Sequence, residues 1–314
     1  MATPSILVVG AGELGTAVAT ALAKHPHRRR GKIGVLRRAE TQRSADSAKQ
    51  AETARLSALG AVHETGDFVS SSVAELADVF RRYDVVVQCG GFGLPAGTQL
   101  RVTEAALRAG VPRFFPWQFG VDYPTIGLGS AHELFDEMLE VRTRLRGQTA
   151  TQWTIVSTGL FMSFLFVPSF GVVQLDKRVV RALGSWENRV TVTTPEDIGT
   201  MVAEAAYVPG DTVNSVVFVA GETISYGRLA DLLDSVSEAK FDRKLWDIGY
   251  LSSELQSEPN DLMLKYRNIF GAGVGVAWDV DKTLNHQRGI AMTSLEEYVR
   301  ENRDPKSRRS RVDP

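Results

Sequence analysis

The stretch with the clearest chemical meaning is a glycine-rich turn near the start of the chain. Gly10, Gly12 and Gly15 follow an apolar run and open a segment with helical periodicity. Gly10 permits a tight turn, Gly12 leaves room for a pyrophosphate, and Gly15 allows the helix to pack against the strand. Glu13 and Leu14 begin that helix, whose N-terminal N–H groups point at the phosphates. The turn in this context predicts a dinucleotide site.

Two arginines indicate which dinucleotide binds. Arg37 and Arg38 follow a second apolar run, at the place where an NAD-binding domain usually carries an acidic residue. The acid accepts hydrogen bonds from ribose hydroxyls, whereas arginine pairs with a 2′-phosphate. Ordinary surface arginines are the alternative, and Glu40 lies close by. We therefore expect NADP(H).

A second glycine cluster follows the apolar run 84–88. In an open α/β sheet, ligands lie beyond the carboxyl ends of the strands, so we expect Gly90, Gly91 and Phe92 to line the cofactor cleft. Cys89 precedes them, and with no histidine near it in sequence a buried structural thiol is favoured over a nucleophile.

The fifth apolar run, 111–115, leads to a segment where a substrate should meet the nicotinamide. We assign Trp117, Gln118 and Phe119 to the cofactor side. We assign Asp122 to the substrate side, with a turn or helix-cap role as the alternative.

Tyr123 and His132 are the candidates for proton transfer. His132 and Glu133 are expected to open the next helix, and a histidine titrates near neutral pH, whereas tyrosine needs a larger shift. An exposed first-turn residue is the alternative for His132. Three apolar side chains are candidates for a substrate wall, with simple core packing as the alternative: Met138, Phe161 and Phe164.

These residues must be positioned by alternating strands and helices, which predict a Rossmann-type α/β fold, a doubly wound parallel sheet. We expect a cofactor domain over residues 1–158, with its sheet completed by 189–220. Residues 159–188 and 221–302 should form a smaller substrate lobe, and 303–314 a disordered tail.

Composition limits the classes of partner. The chain has 314 residues, a formal net charge of −1 and one cysteine, which argues against nucleic acid, membranes and a disulfide framework. The first strand begins too early for a signal peptide, so we expect a cytoplasmic protein. It should be a monomer or homodimer that binds a small hydrophobic substrate.

Several motifs together resemble a known family: the glycine turn, Val35–Arg37, the run 109–122 and the helix 135–144. They are similar to the NmrA-like and isoflavone-reductase-like group of atypical short-chain reductases, and most to its fungal aromatic alcohol reductase-like branch. The resemblance implies NADPH-dependent reduction of a small aromatic molecule, with a helical lysine as acid or base. Met138 stands at that lysine's position, and a thioether cannot transfer a proton.

Three hypotheses follow. The first is an NADPH-dependent reductase of a hydrophobic enone, imine or carbonyl in secondary metabolism, in which the protein orients the substrate. The second is a same-fold cyclase or rearrangement enzyme of an alkaloid or polyketide pathway, motivated by the missing lysine. The third is a non-catalytic NADP(H) sensor. We favour the first because the aromatic-rich segment after Ser157 suits an apolar substrate pocket.

Overall fold

The structure is a computed structural model that describes residues 3–302, apart from the side chain of Gln42. The predicted tail, 303–314, lies outside the described residues. Contacts divide the described chain into two units. The first unit comprises the described residues up to Gln118, with Glu137–Val156 and Pro195–Val217. The second comprises Phe119–Asp136, Ser157–Thr194 and the described residues from Phe218 onward.

A seven-stranded sheet forms the centre of the first unit, in the order β11-β6-β5-β4-β1-β2-β3. Its strands are β1 (Ile6–Val9), β2 (Ile33–Arg37), β3 (Ala61–Thr65), β4 (Val85–Gln88), β5 (Arg113–Phe115), β6 (Gln152–Ser157) and β11 (Ser215–Phe218). The pairs from β3 across to β6 are all parallel. The α/β fold class is thereby confirmed.

Helices of the first unit alternate with these strands. They are α1 (Glu13–Lys24), α2 (Ala39–Gln42), α3 (Ser47–Ala58), α4 (Val73–Phe80), α5 (Thr98–Ala109), α7 (Asp136–Arg146) and α8 (Pro195–Tyr207). The Asp46 side chain caps α3, and Ser72 with Glu75 forms a capping box on α4. Such caps satisfy N–H groups that the first helical turn leaves without partners.

The core of the first unit explains why its central strands are continuous apolar runs. Every residue of β1 and β4 is buried, because helices cover both faces of a parallel sheet. The strand register places Val8 between Val35 of β2 and Val87 of β4. This rigid layer brings the ends of β1, β2 and β4 to one edge of the sheet.

Two contacts fix α7 within the first unit. The Gln118 side chain donates to the Met138 carbonyl at 2.9 Å and accepts from Arg142 Nε at 2.8 Å. The Glu137 carboxylate accepts backbone N–H groups of Gly97 and Gln99 at 3.0 and 2.7 Å, and so caps α5 from a neighbouring helix. The chain after β5 is therefore held by polar contacts as well as by packing.

The second unit contains two three-stranded sheets. One has the order β12-β10-β7 and the other β13-β9-β8. The strands are β7 (Leu160–Phe161), β8 (Val173–Gln174), β9 (Val179–Gly184), β10 (Arg189–Thr193), β12 (Glu222–Ser225) and β13 (Asp242–Asp247). The expectation that 189–220 complete the main sheet is wrong for β10, which pairs with β12 and β7 instead.

Six helices belong to the second unit: α6 (Tyr123–Ile126), α9 (Tyr226–Ser237), α10 (Ile248–Ser257), α11 (Leu262–Ala272), α12 (Leu284–Gln287) and α13 (Leu295–Glu301). Ser294 and Glu297 form a capping box at the start of α13. Over residues 3–302, no helix has both the length and the apolar character needed to cross a membrane.

Candidate functional site

The glycine turn between β1 and α1 has the geometry of a phosphate cradle. Gly10 has φ +94°, a conformation that other residues adopt at a cost. A Cβ at Gly15 would lie 2.0 Å from the Gly10 carbonyl oxygen, so only glycine permits this approach of helix to strand. A Cβ at Gly12 would meet no heavy atom within 4 Å. The turn is thus tight on its inner side and open at Gly12.

The N-terminus of α1 has no side-chain cap, unlike those of α3 and α4. Gly12 occupies the N-cap position without a side-chain hydrogen bond, whereas Asp46 caps α3 and Ser72 caps α4. A helix end of this kind attracts an anion through its N–H groups and its dipole. Glu13, the first residue of α1, is exposed. The Leu14 side chain is buried, so only the backbone of Leu14 can contact a ligand. These features fit a pyrophosphate.

The two arginines after β2 differ in what they can offer a ligand. Arg37 is buried and donates to Thr53 Oγ1 at 2.5 Å and to Glu52 Oε1 at 3.1 Å. Thr16 of α1 hydrogen-bonds to the same Glu52 oxygen. Burial lowers the pKa of Arg37, and the Glu52 charge opposes that shift.

Arg38, the next residue, is exposed, and its side chain makes no hydrogen bond or ion pair with the rest of residues 3–302. A 2′-phosphate would meet Arg38 without breaking an existing pair. Arg37, in contrast, serves to tie β2, α3 and α1 together.

Two aromatic rings pack against the glycines at the ends of β1 and β4. A Cβ at Gly90 would lie 2.4 Å from the Phe68 ring, and one at Gly91 would lie 1.9 Å from the Trp117 ring. Phe68 also borders Gly10. Sequence reasoning missed Phe68, although its position just after β3, at the carboxyl edge of the sheet, was a signal.

Three further predicted cofactor residues have different placements. Phe92 is exposed at the end of the β4 loop, with about 37% of its surface accessible. Gln118 is fully buried, and its amide holds α7, so its side chain does not serve a ligand in this arrangement. Phe119 is buried and belongs to the second unit.

Cys89 is buried as expected, and burial raises the pKa of its thiol.

An aromatic cluster occupies the second unit. It consists of Tyr123, Phe135, Phe164, Phe170, Tyr266 and Phe270. Tyr123 packs against Phe135 with ring centroids 4.8 Å apart, and Phe135 meets the Tyr266 ring edge-on at 5.8 Å. Tyr266 also lies 5.6 Å from the Phe164 ring. The cluster brings together Tyr123 and Phe164, two of the predicted site residues, and adds Tyr266, which sequence reasoning missed.

The other predicted substrate-side residues are not among the rings of the cluster. Asp122 is a turn residue, accepting from Thr125 Oγ1 at 2.6 Å and donating its N–H to Gly275 at 2.8 Å. Phe161 is half-buried at the end of β7. Met138 is buried in the first unit, where its carbonyl accepts from Gln118.

His132 does not open a helix, contrary to expectation. It is exposed and lies with Ala131 and Glu133 in three consecutive left-handed residues, and α7 begins only at Asp136. Lys265 Nζ donates to the His132 carbonyl at 3.1 Å. The imidazole is therefore on a surface turn rather than in the first turn of a helix.

Comparison with known proteins now identifies the family. The NmrA-like family profile matches residues 2–299. The chain belongs to the NmrA-like family. An NmrA-like family domain-containing oxidoreductase of Gibberella moniliformis is 48% identical over 95% of this chain and 97% of that protein.

Solved structures share the fold of this NmrA-like protein. The crystal structure of an isoflavone reductase has a TM-score of 0.77 at 19% identity, over 95% of this chain and 98% of that one. The complex of leucoanthocyanidin reductase with NADPH from Vitis vinifera has a TM-score of 0.77 at 18% identity, with the same coverage. At these identities the likeness concerns the fold, which confirms the Rossmann-type class.

Proposed function

We propose that this NmrA-like protein is an NADPH-dependent reductase of a hydrophobic aromatic or conjugated molecule, such as an enone, imine or carbonyl, in secondary metabolism. The observation that carries the proposal is the uncapped N-terminus of α1 beside the open position at Gly12. Support comes from a relative at 48% identity that is named an oxidoreductase, and from a structural neighbour solved with NADPH.

Backbone N–H groups and one arginine side chain would hold the cofactor. The first turn of α1 would bind the pyrophosphate, with Gly12 leaving space for it, and Arg38 would pair with the 2′-phosphate. The rings of Phe68 and Trp117 pack against Gly90 and Gly91 at that edge. When bound, a reduced nicotinamide supplies a hydride.

The second unit would bind the substrate. The aromatic cluster offers flat apolar surface together with phenol groups, which suits an aromatic molecule that carries one polar atom. Tyr123 is proposed as the residue that donates a hydrogen bond or proton to that atom. His132, on its exposed turn, is the weaker candidate. Met138, where the resemblance implies a lysine, has a thioether that cannot transfer a proton.

The test is turnover with matched stoichiometry. Purified protein is assayed with NADPH against chalcone, cinnamaldehyde, a naphthoquinone and a cyclic imine, following nicotinamide absorbance and product mass. We expect NADPH loss equal to the amount of reduced product for at least one class. Tyr123→Phe should lower kcat at least about 10-fold, whereas His132→Ala should change it less than about 3-fold. NADPH binding without consumption would contradict the proposal.

Met138 favours one second candidate, an enzyme whose main step is not redox. A buried thioether where the family has lysine removes an expected acid while the cofactor turn stays intact. Such a cyclase would convert substrate to an isomer of equal mass without oxidising NADPH. A sensor would bind NADP(H) and form no product at all.

A further inference from the structure

Two buried glutamine amides of the first unit converge on one backbone carbonyl. Gln88, the last residue of β4, donates from Nε2 to the Gly90 carbonyl at 2.8 Å. Gln99, in the first turn of α5, donates from Nε2 to the same oxygen at 3.1 Å. Gln88 has 0% and Gln99 5% of its surface accessible. Because a carbonyl oxygen has two lone pairs, these two donors use its capacity fully.

The packing of β4 against α5 explains why these amides meet. Side chains alternate along a strand, so Gln88 lies on the same face of the sheet as Val86. Val86 packs in one buried cluster with Val102 of α5. The start of α5 is fixed as well, because the Glu137 carboxylate accepts the Gln99 N–H at 2.7 Å. Both glutamines are therefore held by rigid elements.

Each amide also has an oxygen that packing alone does not explain. Gln88 Oε1 and Gln99 Oε1 are buried, and neither accepts a hydrogen bond from another residue within 3–302. A leucine would fill the same space without burying such an oxygen. Turning either amide round would set its oxygen against the Gly90 oxygen, and two acceptors repel each other. The two glutamines are thus best explained by the direction that they impose on the Gly90 carbonyl.

The direction of that carbonyl determines where the next N–H points. The described chain has no cis peptide bond, and in a trans peptide the C=O and the following N–H point in opposite directions. Since the Gly90 carbonyl is held toward Gln88 and Gln99, the Gly91 N–H points away from them. That N–H has no hydrogen-bond acceptor among residues 3–302. It is a donor whose direction is fixed from the other end of its own peptide group.

The Gly90–Gly91 peptide lies beside the phosphate cradle, on the side of β4. A Cβ at Gly10 would lie 3.2 Å from the backbone nitrogen of Gly90. The sheet order β4-β1-β2 places β4 and β2 on opposite sides of β1. With the 2′-phosphate at Arg38 after β2 and the pyrophosphate at the turn after β1, the nicotinamide half of the cofactor extends toward β4.

We infer that Gln88 and Gln99 are positioning residues, which aim the Gly91 N–H at an acceptor oxygen in the nicotinamide half of NADP(H). The inference rests on the cofactor site of the proposed function and is independent of the substrate and of the reaction. A donor that is already aimed needs no reorganisation when the ligand binds. Without one of the amides the peptide group can turn, so the affinity for the nicotinamide half should fall.

This peptide group can be observed alone, because residues 90–91 are the one Gly-Gly pair of the sequence. Protein labelled with glycine that carries carbon-13 at the carbonyl and nitrogen-15 at the amide gives one HNCO NMR signal, from the Gly90 carbonyl and the Gly91 N–H. We expect NADP+ to move the Gly91 proton downfield. Adenosine 2′,5′-bisphosphate, which lacks the nicotinamide half, should leave the signal nearly unchanged.

Gln88→Leu and Gln99→Leu each remove one donor and keep an apolar side chain of similar size. Each should move the carbon-13 signal of Gly90 upfield before any ligand is added. Each should also weaken NADP+ binding about 5- to 10-fold, while the affinity for adenosine 2′,5′-bisphosphate stays within about 2-fold of wild type. A merely structural role would not separate the two ligands in this way.

Gln148→Leu is the matched control. Gln148 is a half-buried glutamine of the first unit, and its Nε2 donates to the carbonyls of Leu145 and Thr151 at 2.9 and 2.8 Å. The substitution should leave the Gly91 signal and both affinities unchanged. Circular dichroism of each variant confirms folding, and Gln99→Leu provides the independent result should Gln88→Leu fail to fold.

The inference and the proposed function can fail separately. A folded Gln99→Leu variant with full NADP+ affinity would overturn the inference, and so would equal losses for both ligands or a Gly91 proton that NADP+ does not move. None of these results would affect a reductase that shows turnover. The predicted NADP+ response in a protein that reduces no substrate would overturn the reductase and support the inference. A wild-type protein that binds no NADP+ would overturn both.

Discussion

The carboxylate of Glu137, in the first turn of α7, accepts the backbone N–H of Gln99 at 2.7 Å at the start of α5. The same carboxylate also accepts from Gly97 and Leu100, at 3.0 and 3.1 Å. A negative charge on a helix N-terminus is stabilising because it meets N–H groups and the positive end of the dipole. One side chain therefore joins the two helices that flank β5.

Removing this charge should destabilise the first unit. Glu137→Gln loses the charged acceptor for three N–H groups, so we expect the free energy of unfolding to fall by about 1–3 kcal/mol. Glu140→Gln is the control, because Glu140 is exposed and its ion pair with Arg144 lies along one helix, which is worth about 0.5 kcal/mol or less. Urea unfolding measures both. Equal losses would refute the special role of Glu137.

The glycine turn allows binding to be separated from folding. Gly12→Ala adds a Cβ into open space, so stability should change by no more than about 1 kcal/mol while NADPH affinity falls about 10-fold or more. Gly15→Ala places a Cβ 2.0 Å from the Gly10 carbonyl oxygen and should lower the free energy of unfolding by about 1–3 kcal/mol or more. Fluorescence titration and thermal unfolding measure the two effects. Unchanged NADPH affinity in Gly12→Ala would show that phosphate does not approach there.

Cofactor preference should depend on Arg38. Arg38→Ser removes an exposed cation after β2, and we expect NADPH affinity to fall about 10- to 100-fold with NADH affinity unchanged. Arg55→Ser, which removes an exposed arginine of α3, is the control for net charge. Titration of each variant with both cofactors gives the ratio. A parallel loss for NADH and NADPH would mean that Arg38 does not contact the 2′-phosphate.

Glu64 should make stability depend on pH. Burial raises the pKa of this carboxyl, but hydrogen bonds from Tyr83 and Lys32 and the charge of Arg82 outweigh burial and hold it below its usual value. The folded state therefore binds the proton more weakly than the unfolded state, so the stabilisation is present above the unfolded pKa and is lost as pH falls through the folded pKa.

Glu64→Gln should accordingly cost about 1 kcal/mol at neutral pH, a modest value because its cationic partners are partly exposed. The difference from wild type should narrow as the pH is lowered from about 7 to about 3. Glu40→Gln, at an exposed position in α2, should show no such trend. Urea unfolding across this pH range measures the free energy of unfolding of each protein. A difference between wild type and Glu64→Gln that grows as the pH falls would contradict the lowered pKa of Glu64.

Much of the first unit could be predicted because its signals are local. β1 and β4 are apolar runs buried along their whole length, and the glycine spacing fixes the turn between β1 and α1. The capping boxes at Ser72 and Ser294 each lie within four residues of sequence. Short-range physics suffices for such features.

The unpredicted features depend on partners that are distant in sequence. Arg37 pairs with Glu52 on a helix whose pattern is polar and gives no sign of the contact. Tyr266 joins Tyr123 through the packing of α11, which no spacing rule relates to α6. His132 lies in a left-handed turn without glycine, a conformation that its residue types disfavour and that the sequence therefore did not indicate.

The most direct test of the reductase is isotope transfer. The protein is incubated with NADPH deuterated at both nicotinamide C4 positions and with the enone, imine or aldehyde that it converts fastest, and the product is analysed by mass spectrometry. A reductase transfers the label, so the product should gain one deuterium for each NADP+ formed. A product without deuterium would contradict hydride transfer, and a product of unchanged formula with NADPH intact would identify a non-redox enzyme on this fold.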